Sequence, residues 1–349
     1  MNKWFEHVKF YIVGWFFAAI FLYIMRQVGV VGINGVNIPL KRFLILLPGF
    51  AIVPGFIFGS LQYFFEKNIK RKIPLILMVV RVVIVQLIVI SILTLGFYAL
   101  VAMMENKWSN FYRYVFSSGS FVLNFYVLLA NLFFAILIEI IRLIGKNNFI
   151  KILTGRFFNP QEEYRIFMFI DLNSSTTIAE KLGHVNYSNF IQDCFSDMDI
   201  VHNYGAEIYQ YVGDEAVLTW EYAKMTSVIQ SIDAFWAFQT RLQNESEYYF
   251  MKYGMVPEFK AGMSIGMVSV VEIGKAKKEI AYHGNTLNTA ARVVALCNVY
   301  KEKLLITRKL YDEYAKVKSK YIFKKITETQ LRGKQGMTEI YSVSLPVTD

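Results

Sequence analysis

The chain has 349 residues, of which 55% are hydrophobic, and it carries a formal net charge of +10. Residues 1–150 hold 14 Lys and Arg against 4 Asp and Glu, whereas residues 151–349 hold 23 of each. Because the whole basic excess lies in the apolar first half, it is typical of a membrane-inserted segment and gives no support to a nucleic-acid partner.

Four apolar segments in the first half are long enough to cross a bilayer, which takes about 20 apolar residues. They are Phe10–Met25, Phe43–Phe65, Ile73–Met104 and Phe121–Ile144. The residues around Arg26 lack a small-residue cleavage pattern, so we expect an uncleaved first span. Asn124 and Asn131 share one face of the fourth span and should hold helices together. Residues 1–144 therefore predict an all-α, four-helix transmembrane domain.

The positive charges predict the orientation of these spans. The N-terminus, the loop at 67–72 and the exit at 142–156 together carry 10 Lys and Arg, against 5 in the other two loops. Because basic loops stay in the cytoplasm, we expect the N-terminus and residues 145–349 on the cytoplasmic side of the inner (plasma) membrane. The connector at residues 145–162 is short and polar, and it either transmits a displacement from the membrane or only anchors the next domain.

Residues 163–349 alternate strand-like and helix-like segments. The apolar run Arg165–Leu172 predicts a buried strand, and two hairpins are expected, turning at Gly213-Asp214 and at Gly266-Met267. Helices are expected at Ser174–Leu182, Asn186–Tyr204, Thr226–Tyr253, Gly284–Asn298 and Arg308–Ala315, and further strands at Leu304–Thr307 and near 323–326 and 339–344. Helices between sheet strands predict one α+β domain. Its two cysteines, Cys194 and Cys297, form no CxxC pair and indicate a reducing compartment.

Two carboxylates in this half lie at the ends of predicted strands. Asp171 closes the first strand, and Asp214 follows 43 residues later in the first hairpin turn. Two such carboxylates can hold a pair of Mg²⁺ ions on a triphosphate. Taken singly, Asp171 also suits a helix N-cap and Asp214 a turn residue.

Two further features point to a nucleotide substrate. Asn288 and Arg292 are four residues apart, so they lie on one face of the predicted helix and can reach the same molecule. The segment after Asp171 opens a helix, and its backbone N–H groups make a natural phosphate cradle. That cradle comprises Asn173, Ser174, Ser175 and Thr176.

In their order and spacing, these motifs resemble the class III nucleotidyl cyclases, the family of adenylyl and guanylyl cyclases, over about residues 163–345. The resemblance implies a ferredoxin-like or palm-like core. It also implies that Asp171, Asp214 and the backbone carbonyl of Leu172 bind two Mg²⁺ or Mn²⁺ ions per active site. Asn288 would orient the ribose and Arg292 would stabilise transition-state charge. Arg332 and Lys334, in a loop near the C-terminus, would contact the terminal phosphates.

The family's active site lies at a head-to-tail dimer interface, where one subunit gives the carboxylates and the other gives the Asn, the Arg and the residues that read the purine. This chain carries both sets, which implies a homodimer with two equivalent sites. The reader positions are Gln210, where adenylyl cyclases have Lys, and Ala281, where they have Asp, Thr or Ser. The amide of Gln210 could serve either base, whereas Ala281 can serve neither.

We therefore expect a membrane-bound adenylyl cyclase that converts ATP to 3′,5′-cyclic AMP and pyrophosphate, with gating by the membrane domain left open. The first alternative is a guanylyl cyclase that uses GTP. The second is a catalytically inactive nucleotide-binding receptor or scaffold in the membrane. A diguanylate cyclase is disfavoured, because the helix with Asn288 and Arg292 does not fit that family.

Overall fold

The computed structural model describes residues 3–28, 39–68, 75–105, 111–222, 226–276, 278–316, 321–330 and 336–346. It divides into two compact units, Met1–Ile144 and Gly145–Asp349. Each unit is described by itself.

The first unit is helical. Its elements are α1 (Lys3–Val28), α2 (Leu40–Asn68), α3 (Leu75–Glu105), α4 (Phe111–Val115) and α5 (Ser118–Ile144). Three of them carry stretches long and apolar enough to cross a membrane, namely Lys3–Met25, Leu40–Phe65 and Ser118–Ile141. The described apolar stretch of α3 is shorter, Val83–Gly96. Four long helices agree with the predicted four-helix domain, while the short α4 was not predicted.

Small residues and a polar pair hold the first unit together. A Cβ atom on Gly55 would lie 2.6 Å from Ile12 Cα, and one on Gly59 would lie 2.8 Å from Val8 Cα, so α1 and α2 approach closely at these glycines. Thr94 Oγ1 donates a 2.7 Å hydrogen bond to Asn124 Oδ1 and joins α3 to α5, as expected for Asn124.

The second unit begins with α6 (Lys146–Leu153) and then builds one eight-stranded sheet. The strands are β1 (Gln161–Leu172), β2 (Glu207–Val212), β3 (Glu215–Glu221), β4 (Phe259–Ile273), β5 (Glu279–His283), β6 (Leu304–Thr307), β7 (Ile322–Thr329) and β8 (Thr338–Ser344). Their order is β2-β3-β1-β4-β6-β8-β7, with β5 paired to β4. The sheet is mixed, because β4 and β6 run parallel while β1 is antiparallel to both of its neighbours.

Helices cover both faces of this sheet. They are α7 (Ser175–Asp197, followed by a 3₁₀ helix at Met198–Tyr204), α8 (Thr226–Asn244), α9 (Ser246–Tyr253), α10 (Asn285–Tyr300) and α11 (Arg308–Tyr314). Successive side chains of a strand point to opposite faces, so Met168 and Ile170 of β1 enter the main core with α7, α8 and α9. Phe167 enters a smaller core on the other face, with Ala290 of α10. The predicted α+β class is confirmed.

Several predicted element boundaries were wrong. Residues Phe259–Ile273 form one continuous strand, not a hairpin turning at Gly266-Met267. Gly266 instead makes room for α10, since a Cβ atom there would lie 2.5 Å from Thr286 Oγ1. The expected helix over Thr226–Tyr253 is two helices, α8 and α9.

The two helices expected between residues 174 and 204 agree with the structure, because Gly183, whose φ of 71° and ψ of 163° are not helical, interrupts α7 between them. One further boundary differs from expectation. β1 begins at Gln161, inside the predicted connector, which also contains α6. The connector is therefore largely regular structure.

Candidate active site

Three charged side chains form a row across β3, β1 and β4. Asp171 pairs with Glu215 on one side and with Lys260 on the other in the strand register. All three therefore lie on the sheet face opposite the main core, because side chains directly across a ladder share a face. Lys260 Nζ lies 2.7 Å from Asp171 Oδ2. Glu215 and Lys260 were not predicted as site residues.

The second predicted carboxylate lies close to this row. Asp214 is in the turn between β2 and β3, where Gly213 takes a φ of 62° that a glycine adopts without strain. Burial raises the pKa of Glu215 to about 7, helped by the charges of Asp171 and Asp214 and opposed by Lys260. Burial also raises the pKa of Tyr187, as do the charges of Asp214 and Asp171. The fold thus gathers the two predicted metal carboxylates.

The predicted phosphate cradle is only partly available. The Asn173 N–H donates a 2.8 Å hydrogen bond to the Glu258 carbonyl, so it is not a free donor for a phosphate. Ser174 adopts left-handed backbone angles, φ 55° and ψ 33°, and α7 starts at Ser175. The residues left for a phosphate cradle are therefore Ser174, Ser175 and Thr176, at the N-terminus of α7, where the helix dipole favours anions.

The predicted catalytic pair lies on α10. Asn288 is exposed and Arg292 is half-buried, while the opposite side of α10 packs on β4. That packing is close, because a Cβ atom on Gly262 would lie 2.1 Å from Val294 N. Within the described part of the chain, no hydrogen bond or ion pair joins Asn288 or Arg292 to Asp171 or Asp214. Arg332 and Lys334 lie outside the described residues.

The two predicted purine readers lie on β2 and β5. Gln210 is exposed, whereas Ala281 is 6% exposed and pairs with Val271 of β4. Their chain neighbours Tyr209 and Tyr282 meet edge to face, with ring centroids 4.9 Å apart. The reader strands are therefore in contact within one chain.

A buried arginine lies beneath these two strands and was not predicted. Arg165 is fully buried and donates 2.7 Å hydrogen bonds to Glu163 and to Glu207 and a 3.0 Å bond to Thr219 Oγ1. Its guanidinium also lies 5.0 Å from the ring centroid of Tyr282. The sequence signal for this network is a charged residue directly before the apolar run Ile166–Ile170.

The donor atoms gathered here suit a hard divalent cation. Asp171, Asp214 and the Leu172 carbonyl offer oxygen ligands, which Mg²⁺ and Mn²⁺ prefer. Among the residues that the structure describes, no group of three or more His, Cys, Asp or Glu side chains could hold a metal alone. Two carboxylates fit a cation whose remaining ligands come from substrate phosphates and water.

Residues 160–344 match the family model of the adenylate and guanylate cyclase catalytic domain. The chain belongs to this family, the class III nucleotidyl cyclases, and the predicted family is confirmed.

Individual relatives include both adenylyl and guanylyl enzymes. The chain is 36% identical over 169 residues to Adenylate cyclase 2 of Rhizobium meliloti (strain 1021). The matched segment covers 48% of this chain and 47% of that protein. The chain therefore matches about half the length of that relative. The adenylyl cyclase CyaB from P. aeruginosa is 17% identical with a TM-score of 0.48, covering 53% of this chain and 96% of that one. The guanylate cyclase domain of RhGC from Catenaria anguillulae in complex with GTP is also 17% identical, with a TM-score of 0.46, covering 53% and 98%.

Proposed function

We propose that the protein is a membrane-bound adenylyl cyclase that converts ATP to 3′,5′-cyclic AMP and pyrophosphate. The observation that carries the proposal is the placement of Asp171 beside the Asp214 turn, in a chain that also presents Asn288 and Arg292 together on α10. These are the two halves that a cyclisation site needs.

Each half has a distinct task in the reaction. Asp171, Asp214 and the Leu172 carbonyl would hold two Mg²⁺ or Mn²⁺ ions. Bound there, such ions acidify the 3′-hydroxyl and neutralise the triphosphate. The guanidinium of Arg292 would stabilise the charge that grows around the α-phosphate, and the Asn288 amide would orient the ribose.

Other residues would hold the polyphosphate in place. The backbone N–H groups of Ser174, Ser175 and Thr176 would donate hydrogen bonds to phosphate oxygens at the start of α7. Arg332 and Lys334 would add cationic contacts to the terminal phosphates. The leaving pyrophosphate would then be held in line with the attacking hydroxyl.

The proposed active unit is a homodimer. Within the described residues, no hydrogen bond or ion pair joins Asn288 or Arg292 to the carboxylates of their own chain, which supports a site completed by a second copy. A head-to-tail pair with twofold symmetry would give two equivalent sites. A monomer should then be inactive.

ATP is the proposed substrate and GTP is the second candidate. ATP is supported by the name of the 36% identical relative, Adenylate cyclase 2. GTP stays open because the exposed Gln210 amide can donate and accept, and because Ala281 has no polar side-chain atom. An inactive scaffold is the third alternative.

We also propose the domain boundaries 1–144, 145–162 and 163–349, with the N-terminus and the catalytic domain in the cytoplasm. The long apolar helices of the first unit support membrane insertion. Cysteines introduced singly at residues 2 and 349 of a Cys194→Ala/Cys297→Ala background should be protected from a membrane-impermeant thiol reagent in intact cells. Labelling of either one without lysis would contradict this orientation.

Product analysis of the purified full-length protein tests the activity. The protein is incubated with ATP or GTP, each with Mg²⁺ or Mn²⁺, and the nucleotides are separated by chromatography. We expect cyclic AMP from ATP. Cyclic GMP as the main product would favour the second candidate, and no cyclic product under any condition would favour the scaffold.

A further inference from the structure

Lys260 is a buried cation at the second position of β4 (Phe259–Ile273). Its neighbours Phe259 and Ala261 are fully buried in the main core, and Lys260 itself is 4% exposed. A lysine ammonium held away from water is costly unless an anion compensates it. In the part of the chain that the structure describes, the carboxylate within ion-pair distance is Asp171, at 2.7 Å.

Two cations therefore compete for the Asp171 carboxylate. It compensates Lys260, and in the proposed mechanism it also binds a divalent cation. Its side chain is 28% exposed, whereas that of Lys260 is 5% exposed, so the carboxylate can be reached from solvent while the ammonium stays fixed beneath it. Like charges repel, so a fixed ammonium beside the carboxylate weakens the binding of a free divalent cation.

We propose that Lys260 is a positioning residue that acts as an internal counter-cation for Asp171 and makes metal binding depend on the nucleotide. The inference rests on the proposed function. Without nucleotide, the ammonium offsets the charge of Asp171. A nucleoside triphosphate brings several negative charges, which outweigh the ammonium and favour the divalent cation. The site is thereby kept from filling with free metal before the substrate arrives.

Mn²⁺ binding by the full-length protein tests the proposal, measured by calorimetry and by the EPR signal of unbound Mn²⁺. Without nucleotide, Lys260→Met should bind Mn²⁺ at least about tenfold more tightly than wild type, and Lys260→Gln should change in the same direction. Lys303→Met is the matched control, because it removes the same charge from an exposed position beside β6. It should leave the affinity unchanged. Equal affinities in wild type and both Lys260 variants would overturn the proposal.

The dependence on nucleotide is tested with α,β-methylene-ATP, which cannot be cyclised. At a saturating concentration of this analogue, the difference in Mn²⁺ affinity between wild type and Lys260→Met should fall. A difference that does not fall would overturn the coupling to nucleotide.

One more variant separates this proposal from the proposed function. In Asp171→Asn, the tight Mn²⁺ site should be lost in both the wild-type and the Lys260→Met background. If Asp171→Asn leaves Mn²⁺ binding intact, the metal assignment fails and the proposed function fails with it. If Asp171→Asn abolishes binding while Lys260→Met behaves as wild type, only the role of Lys260 fails.

Discussion

The guanidinium of Arg165 on β1 lies 5.0 Å from the ring centroid of Tyr282 on β5 and donates to Glu207 on β2. One buried side chain thus joins the two strands that carry the predicted purine readers. Replacing it by Met would remove the cation that compensates Glu163 and Glu207. We expect a loss of about 3 kcal/mol or more in the free energy of unfolding.

Urea unfolding of the detergent-solubilised protein measures this loss. The matched control is Arg156→Met, which also removes a cation paired with Glu163, at 3.2 Å, but from a side chain that is 48% exposed. Because exposed ion pairs contribute little, this control should cost less than about 1 kcal/mol. Similar losses in the two variants would contradict a special role for the buried network.

The two predicted metal carboxylates should differ in what their loss does to stability. Asp171→Asn and Asp214→Asn should each abolish cyclase turnover. Asp171→Asn also leaves the buried Lys260 without its counter-ion, so it should lower the unfolding free energy by about 2 kcal/mol. The free energy of unfolding of Asp214→Asn should equal that of wild type.

The double variant Asp171→Asn/Lys260→Met decides the cause of that destabilisation. It should recover most of the lost stability and remain inactive, since the ammonium and its counter-ion are removed together. Thermal unfolding is compared for wild type, Asp171→Asn, Lys260→Met and the double variant. An additive loss in the double variant would show that the ion pair is not responsible.

Mixing inactive variants tests the shared dimer interface. Asp214→Ala and Arg292→Ala damage opposite halves of the proposed site, so a heterodimer should keep one intact site. Random pairing of equal amounts should restore about a quarter of wild-type activity. The control mixture of Asp171→Ala with Asp214→Ala should restore none, because both changes fall on the same half. Cyclase activity in the control mixture would refute the shared-interface arrangement. So would the absence of activity in the test mixture when heterodimers are shown to form.

The packing of α9 against α7 should weaken in acid. Burial would raise the pKa of Asp193, but hydrogen bonds from Lys252, Tyr253 and Tyr248 outweigh it and lower the pKa below its usual value of 3.8. Because the pKa of Asp193 is lower in the folded than in the unfolded protein, the ionised carboxylate stabilises the fold at pH values above the unfolded-state pKa. This stabilisation is lost as the pH falls through the lower, folded-state pKa.

Urea midpoints between pH 7 and about pH 3 check this sign. Near neutral pH, the free energy of unfolding of wild type should exceed that of Asp193→Asn by about 1–3 kcal/mol. This difference should shrink below about pH 4. Glu247→Gln, which removes an exposed acid on α9, should follow wild type throughout. A difference that is constant with pH would contradict the proposed cause.

Features that depend on local sequence could be predicted. An apolar run that ends in a carboxylate placed Asp171 at a strand end, and a Gly-Asp pair between two such runs placed Asp214 in a hairpin turn. Asn288 and Arg292 lie on one helix as expected from their spacing. The long apolar segments indicated the helices of the first unit.

Features that depend on strand register could not be predicted. Lys260 appears in the sequence as a single charge in an apolar run, and nothing local reveals that β4 lies beside β1 with Lys260 opposite Asp171. Gly266 was misread because glycine marks both turns and close packing. Only the three-dimensional neighbour, Thr286, separates the two meanings.

Phe157 sets a practical limit on how the catalytic unit can be cut. Its side chain is 2% exposed and packs with Phe167 and Tyr282, and its carbonyl accepts a 3.0 Å hydrogen bond from the Glu272 N–H. A fragment that starts at residue 163 would remove this ring and leave a void beside the strand that carries Ala281. Expression fragments, and fusions to foreign sensor domains, should therefore keep the native chain from well before Phe157.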